Sequence, residues 1–391
     1  MVRPVVDSAR TSRARHAALV LGVLLPGPLA AQQPKPMRAD SGPIASSPPD
    51  SGRFRVTPLI APGYNPEMGF LIAGGFLFSW KSGANKLQHQ RSTLSSTVSF
   101  STTGAINVGN NLTSFWAEDR LRITANFSVK KLKDNYWGVG YAAGLAPEQP
   151  DSTTKYHREW LQFNPRIVWE VRPHLFVGGN FDLNKTTATD VNPVMAADPA
   201  YVRYGPKNYN AGLGFAIQYD SRDVAVNAWR GRYLAFTGAS YGHLGGDNVY
   251  ETYLLDYRQY RRLGRDGRTL AWQLKSRIGA HNVPWPELSL LGTAYDLRGY
   301  REGRFRDRAT LLGLVEYRHM FTRSGGRLSR HGFVTWVGGG TLGDDPQSLT
   351  GFVPNGGVGY RFELQPRANV RVDVGFGRHS NGVYFNFTEA F

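Results

Sequence analysis

Cysteine is absent from the 391 residues, which removes disulfides and thiolate-bound metals from consideration. No apolar run approaches the roughly 20 residues that a membrane-spanning helix requires. Acidic residues are few, 30 against 46 Lys and Arg, for a formal charge of +16. Such a surplus could serve nucleic acid, but no basic helix or basic–aromatic platform concentrates it, so no nucleic-acid partner is expected. The nine His are scattered, without the short spacings of a zinc site. The glycine-rich GGVGYR at 356–361 lies on a strand rather than before a helix, so it is no phosphate loop. No cofactor and no metal are expected. His379 and Ser380 are neighbours in a tight hairpin, which points them apart and denies them a nucleophile–base hydrogen bond. No enzymatic activity is expected either.

What the chain does have is 45 glycines and 13% aromatics, with hydrophobic residues at only 41%. That balance suits a transmembrane β-barrel, in which alternate residues face lipid. From Phe54 onward, segments of about ten residues alternate apolar and polar side chains. In 121–131, Leu121, Ile123, Ala125, Phe127 and Val129 face one way and Arg122, Thr124, Asn126, Ser128 and Lys130 the other. The pattern recurs in 161–171, 209–220, 268–281 and 369–377. It sets Tyr209, Ala211, Leu213, Phe215, Ile217 and Tyr219 toward lipid, and Arg371 and Asp373 toward the lumen.

The fold expected is an all-β, antiparallel barrel of about 16 strands. The first strand is 54–61, the twelfth 308–321, the thirteenth 330–341 and the last 382–391. The segment 135–144 also alternates, and parity assigns it to a loop. The gaps at 132–156, 188–208, 282–307 and 342–352 are long and follow odd strands. Those at 118–120, 172–173, 263–267 and 365–368 follow even strands and are short. Gaps 81–90 and 221–229 break this rule. Long extracellular loops opposite short periplasmic turns place both termini in the periplasm.

Ahead of the barrel, Arg3, Arg10, Arg13 and Arg15 precede a short apolar stretch at 17–25 and small or helix-breaking residues at 26–31. Residues 1–31 therefore read as a secretory signal peptide. Residues 32–52, rich in Pro, Ser and Asp, read as a disordered periplasmic linker. The barrel is expected over 53–391.

The stretch LRGYREGRFRDR at 297–308, placed just before the twelfth strand, resembles the sixth extracellular loop of the BamA/TamA and two-partner-secretion superfamily. Residues 353–391 look like that family's last three strands, and DNYWGVG at 134–140 resembles an element of an early extracellular loop. The resemblance implies a loop folded into the lumen as a plug. Arg298 would reach acidic side chains, Gly299 would permit the tight tip and Tyr300 would pack beside it. Glu316, beside Arg318 in LVEYRHMF, is the implied partner. The family's second acid would fall near Thr335, with Asp373 and Glu363 as inward substitutes. Phe385, Phe387 and Phe391 would form a C-terminal assembly signal, with Glu389 where an apolar residue is usual.

The family's POTRA domains would precede the barrel, so the linker implies a member lacking them. By resemblance the role is protein or lipid insertion or translocation at the bacterial outer membrane, through a seam between the first and last strands. Its partners would be outer-membrane lipid and unfolded or secreted client proteins. A different reading rests on the inward charges Arg122, Lys130, Arg166, Glu170, Lys275, Arg277, Arg318, Arg361, Arg371 and Asp373. A lumen with that cationic bias suits a passive anion-preferring porin. A structural surface antigen is a further alternative.

Overall fold

The computed structural model describes residues 54–65, 69–82, 90–145 and 154–391. The expected signal peptide and linker lie outside the described residues. Eleven strands come first: β1 (Arg55–Asn65), β2 (Gly69–Trp80), β3 (Ser92–Ser101), β4 (Ile106–Trp116), β5 (Leu121–Asn135), β6 (Lys155–Arg172), β7 (Leu175–Thr189), β8 (Lys207–Asp220), β9 (Gly231–Tyr241), β10 (Tyr250–Arg262) and β11 (Arg268–His281). A long loop then carries a short antiparallel pair, β12 (Ser289–Leu291) with β13 (Phe305–Asp307). After it come β14 (Ala309–Thr322), β15 (Leu328–Gly343), β16 (Thr350–Gln365), β17 (Ala368–Gly377) and β18 (Ser380–Phe387).

Leaving out the loop pair, sixteen strands pair in chain order from β1 to β18 into one antiparallel sheet. This is the expected barrel. β1 lies beside β18, and Gln365 donates to the Thr57 hydroxyl at 2.8 Å. Among the described residues no backbone ladder joins β1 to β18.

Alternation along each strand follows from one face meeting lipid and the other a polar lumen. On β8, Tyr209, Leu213, Phe215, Ile217 and Tyr219 are exposed while Asn208, Asn210, Gln218 and Asp220 are buried. Ala211, expected to face lipid, is buried instead. The loop after β9 folds onto this end of β8, with the Asp247 amide donating to the Tyr209 carbonyl at 2.8 Å. Residues 135–144 form no further strand, as parity required: Asn135 ends β5, and a loop from 136 leads into the short helix α1 (Tyr141–Leu145). Two more short helices, α2 (Pro193–Ala197) and α3 (Pro199–Tyr204), sit between β7 and β8. Asn192 caps the first of them and Asp198 the second.

One expectation fails at the last strand. β18 stops at Phe387 rather than continuing to 391. Thr388 takes a φ of +66° and turns the chain inward, so Glu389, Ala390 and Phe391 are buried. The physical reason is Glu389. It is an acid that cannot face lipid, and it finds Arg361 at 2.8 Å and Asn369 at 2.7 Å inside the barrel. Phe391 follows it in and lies by Tyr260, with Arg318 over its ring. Phe385 and Phe387 stay half-buried on β18.

Leu213→Lys, on the exposed face midway along β8, should cost about 2–4 kcal/mol, the range for a cation at the lipid midplane. Asn126→Lys, on the luminal face of β5, should cost under roughly 1 kcal/mol, since its head stays in water. Denaturant titration of the liposome-folded barrel separates the two; equal costs would reverse the assignment of faces.

Candidate functional site: the loop tip inside the barrel

The loop between β11 and β14 runs through the lumen, and most of its large side chains are buried. Trp285, Leu291, Leu297 and Arg298 have no exposed surface at all. Local chemistry shapes its tip. The Asp296 carboxylate accepts the amides of Gly292 at 3.1 Å, Thr293 at 2.6 Å and Leu297 at 2.5 Å, closing a tight turn that presents residues 297–300. Trp285 packs against the rings of Tyr136, Tyr156 and Tyr201 at about 6 Å and donates to the Gly205 carbonyl at 3.0 Å. The second resemblance element thus meets the first. Arg306 stacks on Tyr136 at 4.4 Å, and the Gly140 amide donates to the Arg306 carbonyl at 2.9 Å.

At the tip, β14 to β18 each contribute to the cradle. Arg298 donates to Asp373 on β17 at 2.7 Å and to Glu316 on β14. Its guanidinium lies 3.6 Å from the centroid of Trp336 on β15, a cation–π contact strengthened where water is excluded. Asn355 on β16 accepts from the Trp336 indole at 2.9 Å and donates to the Arg298 carbonyl. Tyr384 on β18 accepts the Gly299 amide at 2.9 Å and donates to the Tyr300 carbonyl at 2.9 Å. Tyr300 donates to the Pro354 carbonyl at 2.7 Å and accepts the Arg378 amide at 2.6 Å.

Gly299 has φ +118°, and a Cβ there would stand 2.7 Å from the Gly375 carbonyl carbon. Backbone meets backbone here, and a Cβ on Gly375 would in turn strike the Arg298 carbonyl. Two glycines, one on each side, let the tip sit against β17.

The two acids belong to a larger buried network. Glu316 also accepts from Arg318 at 3.0 Å, while Asp373 accepts from Arg361 at 2.6 Å and from Arg371. Arg371 continues to the Ala294 carbonyl at 2.7 Å, and Arg318 to the Phe391 main-chain oxygen at 2.7 Å. Arginines 298, 318, 361 and 371 therefore share Glu316, Asp373 and Glu389, with main-chain oxygens taking part of the remaining donor capacity. Outside the spanning strands, burial alone would raise the Glu389 carboxyl, yet the Arg361 and Arg318 guanidiniums hold it at about 2.

All five implied tip and anchor residues, Arg298, Gly299, Tyr300, Glu316 and Asp373, come together. Thr335 does not join them. It is exposed on the outward face of β15, and the inward neighbour Trp336 takes the place beside the guanidinium. Glu363, near the β16–β17 turn, does not reach Arg298 and offers its carbonyl to Arg330 at 2.8 Å. Asn355 and Tyr384 were missed, although their alternation already placed both inward. Ser380, singled out only beside His379, donates to the Gly299 carbonyl at 2.7 Å and so serves the loop tip. The loop does not fill the lumen. A cavity of about 870 Å³ remains, walled by Ser, Thr and Asn side chains of β3 to β5, such as Ser95, Thr97, Asn107, Asn111, Thr124 and Asn126.

Comparison with known proteins agrees with this geometry. The Omp85 superfamily domain model matches residues 76–346. No curated protein matches the sequence. Among solved structures, BamA from Haemophilus ducreyi lacking POTRA domains 1–3 is similar at TM-score 0.55 and 13% identity, over 86% of this chain and 70% of that one. CdiB from Acinetobacter baumannii is similar at TM-score 0.51 and 12% identity, over 86% of this chain and 65% of that one. This chain thus spans less than two thirds of CdiB.

Arg298→Ala leaves Glu316 and Asp373 facing each other's network without their shared cation. Breaking a buried pair from one side costs about 3–5 kcal/mol. The heat-modifiable gel band should then convert at a distinctly lower temperature. Arg298→Lys should recover only part of the loss, because a lysine cannot span both carboxylates as a fork. An unchanged midpoint in the alanine variant would remove the anchor.

A pH effect follows from Glu287 in the same loop. Burial, with the Asp182 charge nearby, pushes its carboxyl well above the usual range despite the Arg277 guanidinium. The folded loop therefore keeps Glu287 protonated where an unfolded glutamate ionises from about 4.5 upward. Its contribution is fully present below that value and is lost as pH rises toward the raised value. Glu287→Gln should match wild type in thermal midpoint at pH 4 and exceed it in mild alkali; parallel pH profiles would contradict this.

Proposed function

Because the chain belongs to the Omp85 superfamily, we propose that this outer-membrane barrel inserts or translocates polypeptide clients, with the loop tip at Arg298 as its luminal anchor. The observation that carries the reading is the cradle itself. Five consecutive strands spend buried charge, aromatic faces and glycines on holding one loop inside the lumen. A pore meant only for small solutes has no use for such a plug. The long loops face outward and both termini lie in the periplasm, in keeping with the asymmetry of loop lengths.

The exit for a client would be the boundary between β1 and β18, where hydrogen-bonding edges are available to an incoming strand. Unfolded or secreted proteins and the surrounding lipid are its partners. The cationic lumen supports the porin reading less well. Its arginines are largely spoken for, as in the pairs of Arg122 with Asp220 and Arg258 with Asp256.

A photo-crosslinking residue at Val383, exposed on β18, should capture unassembled β-barrel precursors or secreted polypeptides in growing cells. Adducts confined to lipid, together with a large steady anion current from the purified chain, would return the porin reading in its place.

A further inference from the structure

The connections at the end opposite the plug are short, apart from those between β2 and β3 and between β8 and β9. Residues 221–230 fold over that mouth, and none of residues 221–229 is exposed. The base of the segment extends the β8–β9 ladder, since the Ser221 amide donates to the Arg232 carbonyl at 2.9 Å and the Asp223 amide to the Arg230 carbonyl at 3.2 Å. Asp223 then organises the tip. One carboxylate oxygen accepts the amides of Val224 and Trp229, both at 3.0 Å. The other accepts Arg367 at 3.0 Å.

The reach of this segment is what makes it more than a turn. Arg367 lies in the β16–β17 connection, so β9, β10, β11, β14, β15 and β16 separate it from the base of the strap. In the other direction Gln90, just before β3, accepts the Ala225 amide at 3.2 Å, with β3 to β8 between. A segment that contacts both crosses the mouth of the ring. Its underside, Ala225 and Val226, forms part of the floor of the cavity. Ala228 packs in the same buried cluster as Tyr260 and the inturned Phe391.

Arg367 is the fastening. Its guanidinium lies 3.5 Å from the Trp229 ring centroid, and it donates to the Asn227 carbonyl as well as to Asp223. It does so from φ +64°, a region that favours glycine or asparagine and that an arginine enters at a steric cost. A side chain that long and charged, in a turn that asks for glycine, is there for what it touches.

We infer that residues 221–230 are a strap closing the second mouth of the barrel, fastened by Arg367, so that the lumen is a chamber with two separate closures. Passage through the lumen then requires release of the strap as well as movement of the loop at Arg298. The base of the strap stays paired when Arg367 lets go, which makes the fastening the place of opening.

The absence of native cysteine allows a direct test. Thr124→Cys puts one thiol on the cavity wall near this mouth. The purified folded barrel is exposed to a charged, bulky maleimide. With the strap fastened, labelling should be slow compared with a cysteine at the exposed Val249. Adding Arg367→Ala should speed it roughly tenfold, the change expected from losing one charged hydrogen-bonding anchor. Trp229→Ala should act the same way without touching the ion pair, and it decides the matter where Arg367→Ala does not fold. Deleting residues 290–306 raises labelling through the opposite mouth by its own factor, so a failed plug leaves the strap effect readable. Labelling of Thr124→Cys as fast as the Val249 control, or unmoved by both strap variants, would overturn the strap.

Discussion

The arrangement depends on one buried guanidinium. Arg298 carries its charge into a place with no exposed surface, where an ion left unpaired costs several kcal/mol. Only a cradle with two carboxylates, an aromatic face and an acceptor for its own carbonyl satisfies it there. Every one of those groups comes from the wall formed by β14 to β18. The loop is therefore held at a chosen register. Replacing such a network with apolar groups is often neutral or favourable to stability, so its use here is better read as specifying where the loop tip sits.

That choice makes the lumen lopsided. One side is dense with loop, charge network and the inturned residues 389–391; the other is a cavity faced mainly by hydroxyls and amides of β3 to β5, with Arg122, Lys130 and Asp134 toward the ends of β5. Ser, Thr and Asn exchange hydrogen bonds readily and hold no charge, so the middle of that wall offers a hydrophilic chain replaceable polar partners. The cavity is bounded by β1 and β18, the two strands without a mutual ladder among the described residues. Plug, chamber and strand boundary form one continuous region.

Several features were legible because they are local. Period-2 alternation reports lipid on one side of a strand and water on the other, wherever that strand pairs. Loop lengths carried the same information at coarser grain, and one of the two anomalous gaps, 221–229, proved to be a segment crossing a mouth. Glu389 was visibly out of pattern before its inward turn explained it. Thr335 illustrates the limit. A shift of one residue exchanges faces, so the neighbouring Trp336, and not Thr335, meets Arg298. The second acid came from β17, and between the candidates Asp373 and Glu363 only the assembled strands could choose.

By itself the sequence determined that this is a barrel and, along most strands, which residues face in; the need of Arg298 for acidic company was implied by the family resemblance. Those are consequences of solvent contrast and of the cost of burying charge, and both act residue by residue. Tertiary structure decided the rest. It selected Asp373 as the second anchor, set Trp336 against the guanidinium, brought Ser380 and Tyr384 to the loop backbone, and laid residues 221–230 across the mouth. These contacts join segments far apart in the chain, and their choice depends on strand register and on closure of the ring, which exist only once all the strands are paired.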